Sequence, residues 1–322
     1  KMKAAVLYGK NDLRVEKRDV PEIGKNDVLV RVHACGICGT DVHIFCGDEG
    51  AAPTPENTVL GHEFAGEVVK VGTDVKSVTA GDKVCVDPNK LCGSCEFCRR
   101  GIGHFCTDIT GIGTTVDGGF AEYCAVPASQ VYKVTESLSF EQAAMTEPVS
   151  CCLHGIELCN IKCGATVMVI GCGMIGLIML QLAKLSGAAN IIAIEPIKEK
   201  REQALKLGAD IALDPKADNI PETLKKQGLE QVDVVIECVG RSETIEQAIA
   251  LAGKYSTVMM FGLTKPDAEI SVKPFEIFKK EITLKSSYIN PYTFPAAIKL
   301  IESGKLDVSS MIYKTEPLDP TI

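Results

Sequence analysis

Basic charge is in short supply in this sequence. Thirty-four lysines and arginines stand against 42 aspartates and glutamates, for a net charge of −8. Nucleic-acid backbones and anionic lipid are bound through clustered cations, so the balance argues against both as partners. Long apolar runs are missing too. The most apolar stretch, Val167 to Ala183, reads VMVIGCGMIGLIMLQLA. At seventeen residues with three glycines and a glutamine it is too short and too broken for a membrane span, and it reads as a strand, a tight turn and a helix. No basic-then-apolar leader opens the chain, so export is not expected and a cytoplasmic location is. Lys1 ahead of Met2 reads as a residue left by cloning or by processing. An internal repeat of about 20 to 50 residues and low-complexity tracts are absent as well.

What is present is enough to fold. The 322 residues, 46% hydrophobic and 24% charged, suffice for one large or two ordinary domains with a sizeable core. Fifteen cysteines is a high and odd count. Without a leader, metal ligation and buried free thiols account for them better than disulfides do.

The texture of the chain changes along its length. Up to about residue 135, alternating apolar stretches at Lys3–Tyr8, Val28–Ala34, Phe64–Val71, Lys83–Val86 and Phe120–Val126 are separated by Gly, Pro, Asn and Asp turn signals, which reads as irregular β structure. From Ala165 on, candidate strands at Thr166–Ile170, Asn190–Glu195, Ile211–Leu213, Val232–Glu237, Thr257–Phe261 and Ile282–Ser286 alternate with helical segments such as Ile175–Ser186, Lys198–Leu207 and Thr244–Ala252. Such alternation predicts a parallel sheet covered on both faces, and six strands complete a doubly wound nucleotide-binding fold. Pro291–Ser303 reads as a further helix, and the chain stops at PLDPTI without a closing element, so a truncated C-terminus is expected.

The turn GCGMIG, Gly171 to Gly176, follows the strand VMVI and opens a helix. Gly171 permits the tight turn, Gly173 lets backbone approach a pyrophosphate, and Gly176 lets the helix pack on the strand. Glu195 ends the next strand nineteen residues after Gly176. A carboxylate there suits ribose hydroxyls and repels a 2′-phosphate, which favours NAD over NADP; Lys198, Lys200 and Arg201 follow and are able either to receive a phosphate or to form a solvated helix face.

Cys92, Cys95, Cys98 and Cys106 follow the spacing C-x2-C-x2-C-x7-C. Two-residue gaps turn neighbouring thiolates toward one centre, as a tetrahedral Zn²⁺ requires. Iron–sulfur clusters also use four cysteines, with different usual spacings, and reduced free thiols are the remaining alternative. Four thiolates leave no open position, so a zinc here is structural and its loss unfolds the lobe. Chemistry needs a second, more open site. CGICGTDVH (35–43) and GHEFAGEV (61–68) supply Cys38, His62 and Glu63, a mixed S, N and O set that leaves room for a fourth ligand.

These motifs, with AGDKV (80–84), GGFAEY (118–123) and GCGMIG, occur in the order seen in the zinc-dependent medium-chain dehydrogenases, which the chain resembles over essentially its whole length. The resemblance implies an α/β protein: a GroES-like catalytic domain over 1–150, a Rossmann NAD-binding domain over 151–286, and a return to the catalytic domain over 287–322. It implies two zinc ions per chain, a catalytic one on Cys38 and His62 with Glu63 adjacent, and a structural one on the four cysteines. Thr40 matches the hydroxyl that passes on the substrate proton, and His43 the histidine that completes a relay through the cofactor ribose. Ile175, Glu195, Lys200, the backbone of Gly262, Leu263 and Thr264, and the stretch Ser286, Ser287, Tyr288 match positions that contact NAD.

Within the family, Glu147-Pro148 in AAMTEPVSCCLHGI and the segment SYINPYTFPAAI resemble the polyol branch, the sorbitol and xylitol dehydrogenases, where the glutamate binds zinc or its water. Cys151 and Cys152 are rivals for that role or small core residues. Ser287 departs from the arginine often found beside the tyrosine in polyol enzymes. The expectation is oxidation of a secondary alcohol of a polyol by NAD, with threonine or a simple secondary alcohol as the alternative substrate and a zinc- and NAD-binding redox sensor as the non-enzymatic one. The family forms dimers and tetramers, so a homo-oligomer is expected, with a tetramer favoured.

Overall fold

The computed structural model describes residues 1–48 and 53–319. The chain divides into two compact units, one holding Lys1–Ser150 and the chain from Asn290 on, the other Cys151–Ile289. The helix Thr146–Cys159 contains the first crossing point. The return comes not at 287 but at Asn290, whose side chain bonds to Asp87 and Ser150 of the first unit.

The first unit is built on an antiparallel five-stranded sheet in the order Val131–Lys133, Lys83–Val86, Glu63–Val71, Asp27–Gly36 and Tyr123–Pro127. Val28, Val30, Phe64, Val68, Val84 and Val126 pack into its core. A smaller sheet sets Met2–Gly9 between Asp12–Arg18 and Thr58–Val59. The strand Asp12–Arg18 was not foreseen, since its DLRVEKR pattern is too charged to stand out; it pairs in register with Met2–Gly9 over almost its full length.

The pairing that matters for the site runs between Asp27–Gly36 and Glu63–Val71, with Gly36 opposite Glu63. Gly66 makes it possible: a Cβ there would run into the carbonyl of Arg31 on the facing strand.

The second unit is a six-stranded parallel sheet in the order Ile211–Leu213, Asn190–Ile194, Thr166–Ile170, Val234–Glu237, Thr257–Met260 and Thr283–Ser286. The first strand in sequence lies at the centre, and the order reverses beside it, which is the doubly wound arrangement. Every residue of Thr166–Ile170 is buried, as expected for a strand covered on both faces. Met168, Ile170, Ile192, Ile194, Val235 and Val258 form the core beside it. Helices Ile220–Lys226 and Pro274–Lys280, short and rich in charge, were not foreseen. The helix placed at Pro291–Ser303 begins later, at Phe294, because Tyr292 adopts a left-handed φ of 61° and breaks the first turn.

Gly66→Ala is expected to lower unfolding stability by about 1–3 kcal/mol or more, the usual range for forced overpacking. Urea denaturation followed by circular dichroism measures it, and an unchanged midpoint would mean that the two strands do not need this close approach.

Candidate active site

Strand pairing brings the first donor set together. Cys38 lies two residues beyond Gly36, and His62 one residue before Glu63, so the Gly36–Glu63 pair places all three at one strand end. The ligand atoms of Cys38, His62 and Glu63 lie within 4.8 Å of one another. Gly36 leaves the space that the Glu63 carboxylate occupies, since a Cβ on it would meet that carboxylate. Around His62 the backbone is equally tight: side chains at Gly113 or Gly118 would strike the Gly61 carbonyl and one at Gly119 the Phe64 side chain, which accounts for both glycines of GGFAEY.

Cys38 also caps the helix Gly39–Phe45, where the Asp41 carboxylate accepts from the Cys38 N–H at 2.8 Å through Oδ2. The other oxygen, Oδ1, faces His62 Nδ1 at 3.4 Å, and neither atom has a hydrogen bond of proper geometry. A carboxylate behind one ring nitrogen is how a ligating histidine is held by its surroundings, with Nε2 left for the metal.

Burial, and then the Glu147 carboxylate, push the Glu63 carboxyl up to about 8. Burial raises the Cys38 thiol, with Glu63 and Glu147 adding to it against His62. For His62, burial works against the charged ring, yet contacts with Asp41 and Cys38 outweigh it and hold the imidazole well above its ordinary range. Acids and a thiol packed in a nearly dry pocket need a compensating cation, and a divalent metal supplies it. The donor set therefore fits zinc.

Glu147 sits in the first turn of the helix Thr146–Cys159 and is only 7% exposed. It lies close enough to act on Cys38, His62 and Glu63 electrostatically but outside their 4.8 Å cluster. Thr40 and His43 fall three residues apart on the helix Gly39–Phe45, hence on one face, and His43 Nδ1 lies 3.3 Å from Asp48 Oδ2.

The four cysteines form a second cluster, also with all sulfurs within 4.8 Å of one another. Cys92 and Cys98 sulfurs are 4.0 Å apart, close to the about 3.8 Å between ligands of a tetrahedral zinc with 2.3 Å bonds. Backbone N–H groups point at the sulfurs: Cys95 and Ser94 donate to Cys92 at 3.3 and 3.4 Å, Cys98 to Cys95 at 3.5 Å, Asp108 to Cys106 at 3.4 Å. The Cys98 and Thr107 amides hold the Cys95 thiol down at about 6, while burial and then Cys95 push Cys98 up to about 12. The loop is rooted in the two-stranded pair Asn89–Lys90 and Thr110–Gly111.

In the second unit the sequence-derived positions gather at the carboxyl ends of the strands, where doubly wound sheets bind ligands. Gly171 has φ +90°, and a Cβ on Gly176 would overlap the Gly171 carbonyl, so both must be glycine. Gly173 is the N-cap of the helix Met174–Leu185, in whose first turn Ile175 lies. Glu195, 5% exposed, accepts from the Cys172 N–H at 2.8 Å and the Ile197 N–H at 3.0 Å, bracing the turn. Lys200 is half-buried on the helix Lys198–Lys206. Gly262 donates to the Glu237 carbonyl at 2.9 Å, followed by exposed Leu263 and half-buried Thr264. Ser286 ends the edge strand opposite Met260, ahead of Ser287 and Tyr288.

The chain matches two family models, the alcohol dehydrogenase GroES-like domain over residues 24–136 and the zinc-binding dehydrogenase domain over 175–303. It is 36% identical over 97% of its length to D-arabinitol dehydrogenase 1 of Uromyces fabae, covering 90% of that protein. The chain belongs to the zinc-dependent medium-chain dehydrogenases. Its fit within that family is to the polyol branch, with threonine dehydrogenases as near relatives. The L-threonine 3-dehydrogenase of Caldanaerobacter subterraneus subsp. tengcongensis is 35% identical over 97% of this chain and 90% of its own. A zinc-binding dehydrogenase from Sinorhizobium meliloti solved with NADP superposes with a TM-score of 0.92 at 38% identity, covering 96% of this chain and 91% of that one. The family is one of NAD(P)-linked oxidoreductases, and the two units are its GroES-like and Rossmann domains.

Three buried polar residues lie outside the set drawn from the sequence: Asp41, Glu237 and Asn290. Asp41 had a signal, a Cys-x-x-Asp capping pattern at a helix start. Glu237, fully buried, accepts from the Val239 and Gly240 amides at 2.8 and 3.0 Å and from Thr244 Oγ at 2.7 Å, shaping the loop against Gly262. Its signal was an acid closing the apolar run VVIE. Asn290 had none. Among the described residues no helix is long and apolar enough to cross a membrane.

Cys98→Ser is expected to cost one metal equivalent and a large drop in thermal midpoint, and Cys38→Ser the other equivalent with a small drop. Elemental analysis with scanning calorimetry checks this; equal melting losses would contradict the division into structural and open sites.

Proposed function

We propose that this dehydrogenase oxidises a secondary alcohol of a polyol to a ketone, with NAD as hydride acceptor. The observation that carries the reading is the convergence of Cys38, His62 and Glu63 in one pocket, with the Glu147 carboxylate acting on all three. Zinc held there supplies a Lewis acid that lowers the pKa of a substrate hydroxyl, and the dinucleotide supplies the hydride acceptor. Thr40 would pass on the hydroxyl proton and His43 would release it to solvent, a reading supported by their position one turn apart on the same face of the helix Gly39–Phe45. Asp41 keeps the His62 ring oriented, and Asp48 faces His43.

The preference for NAD is supported by the buried Glu195 carboxylate and by the state of the cations nearby. Arg201 donates to the Glu195 carbonyl at 2.7 Å and pairs with Asp214 at 3.2 Å, while Lys198 lies 3.8 Å from Glu202. A cluster of four thiols among fifteen free cysteines suits a cytoplasmic setting. Exposed Tyr255, Phe275 and Phe278 support a homo-oligomer, a tetramer by the family's habit.

NADH formation is expected on at least one sugar alcohol in a panel of polyols, L-threonine and simple secondary alcohols. Turnover confined to L-threonine would move the assignment to that branch, and none with metal bound would favour a sensor. His43→Gln is expected to lower kcat at neutral pH by up to about a hundredfold, the low end of general acid–base contributions, with zinc content unchanged. Glu195→Ala is expected to shift the NAD/NADP ratio of kcat/KM toward NADP by about tenfold (~1.4 kcal/mol). A variant of His43 that loses zinc, or an unmoved cofactor ratio, would contradict these roles.

A further inference from the structure

The short segment that leads into the helix Phe294–Glu302 is held far more firmly than a connector requires. Asn290 is 2% exposed, and every polar atom of its side chain is used. Its Oδ1 accepts from Asn89 Nδ2 at 2.7 Å, and its Nδ2 donates to Ser150 Oγ at 2.9 Å and to Asp87 Oδ1 at 3.3 Å. Thr293 Oγ reinforces the turn, donating to the Ser150 carbonyl at 2.7 Å and the Asn290 carbonyl at 3.3 Å. The backbone on either side is unusual: Ile289 and Tyr292 have φ of 46° and 61°. A β-branched residue in that region is costly and persists only where its surroundings fix it.

The two ends of this network lead to the two donor clusters. Asn89 belongs to the strand that roots the four-cysteine loop, three positions before Cys92. The far side of that loop touches the same segment, since a Cβ on Gly103 would lie 2.6 Å from the Tyr292 hydroxyl. At the other end, Ser150 Oγ donates at 2.6 Å to the carbonyl of Glu147, one helical turn back. Asn89, Asn290, Ser150 and Glu147 thus form one continuous hydrogen-bonded chain, and such chains strengthen their members.

We propose that Asn290 is a positioning residue that ties the root of the four-cysteine loop to the helical turn carrying Glu147, so that the loop sets where the Glu147 carboxylate stands at the Cys38–His62–Glu63 site. The inference rests on the reading of that site as a zinc site. No other side chain of this size offers one acceptor and two donors in the same plane: aspartate would face the Asp87 carboxylate, and leucine would remove all three hydrogen bonds, to Asn89, Ser150 and Asp87.

The test uses the full, zinc-loaded chain and follows zinc release to a chromophoric chelator. Cys38→Ser identifies the phase that belongs to the first site. In Asn290→Ala that phase is expected to run about 10- to 100-fold faster, the usual scale for lost outer partners, with the four-cysteine phase unchanged. Ser150→Ala, a smaller change that keeps the protein folded if Asn290→Ala does not, is expected to give the same acceleration. The double variant is expected to release no faster than either single one. Unaltered first-site release in the variants, or additive effects in the double, overturns the inference while leaving the zinc reading intact. A wild-type chain that releases a single equivalent overturns the zinc reading and the inference with it.

Discussion

The site depends on one strand pairing. Asp27–Gly36 and Glu63–Val71 run antiparallel with Gly36 opposite Glu63, and that register alone brings Cys38 to His62 across 24 positions of sequence. Because side chains alternate along a strand, a slip of one residue would turn Glu63 to the other face and break the donor set. Glycine enforces the fit: Gly66 admits the partner strand, Gly36 leaves space for the Glu63 carboxylate, and Gly113 and Gly118 let the neighbouring loop close on Gly61. The same closeness buries Asp41, His62, Glu63 and Glu147 together. Burying acids together costs free energy, and two of the buried polar atoms here, Asp41 Oδ1 and His62 Nδ1, make no hydrogen bond that offsets it. A bound divalent cation turns that cost into binding energy.

The two donor clusters differ in how they are built, and this decides how visible each was in the sequence. Cys92, Cys95, Cys98 and Cys106 are neighbours along the chain, so spacing alone points to a closed tetrahedral site. Cys38 and His62 converge only through a long-range pairing that no local pattern reveals, and it was resemblance to a family that singled them out. The parallel sheet was legible from its alternation of apolar runs and helices, down to the glycine turn and Glu195. Elements lost to view were those whose charge dilutes the apolar pattern, the strand Asp12–Arg18 and the helices Ile220–Lys226 and Pro274–Lys280. Buried polar residues were hardest. Nothing in NPYT distinguishes Asn290 from a loop asparagine, because its meaning comes from Asp87, Asn89 and Ser150 packing onto it.

In the Rossmann unit a related economy operates with acids. Glu195, just past one parallel strand, and Glu237, at the end of another, each accept from backbone amides of nearby turns: Cys172, in the turn after the neighbouring strand Thr166–Ile170, and Ile197 for one, Val239 and Gly240 for the other. Both therefore shape the turns at the carboxyl ends of the parallel strands, where doubly wound sheets bind ligands. Asn290 does for the first unit what these acids do for the second: a buried polar side chain fixes the backbone that carries a functional group.

Diffraction from crystals of the zinc-loaded protein at the zinc absorption edge tests the central claim most directly. The account requires two anomalous peaks per chain, one enclosed by the four cysteine sulfurs and one bonded to Cys38 Sγ and His62 Nε2 beside Glu63. A single peak in the four-cysteine loop, with Cys38 and His62 turned apart, would contradict it.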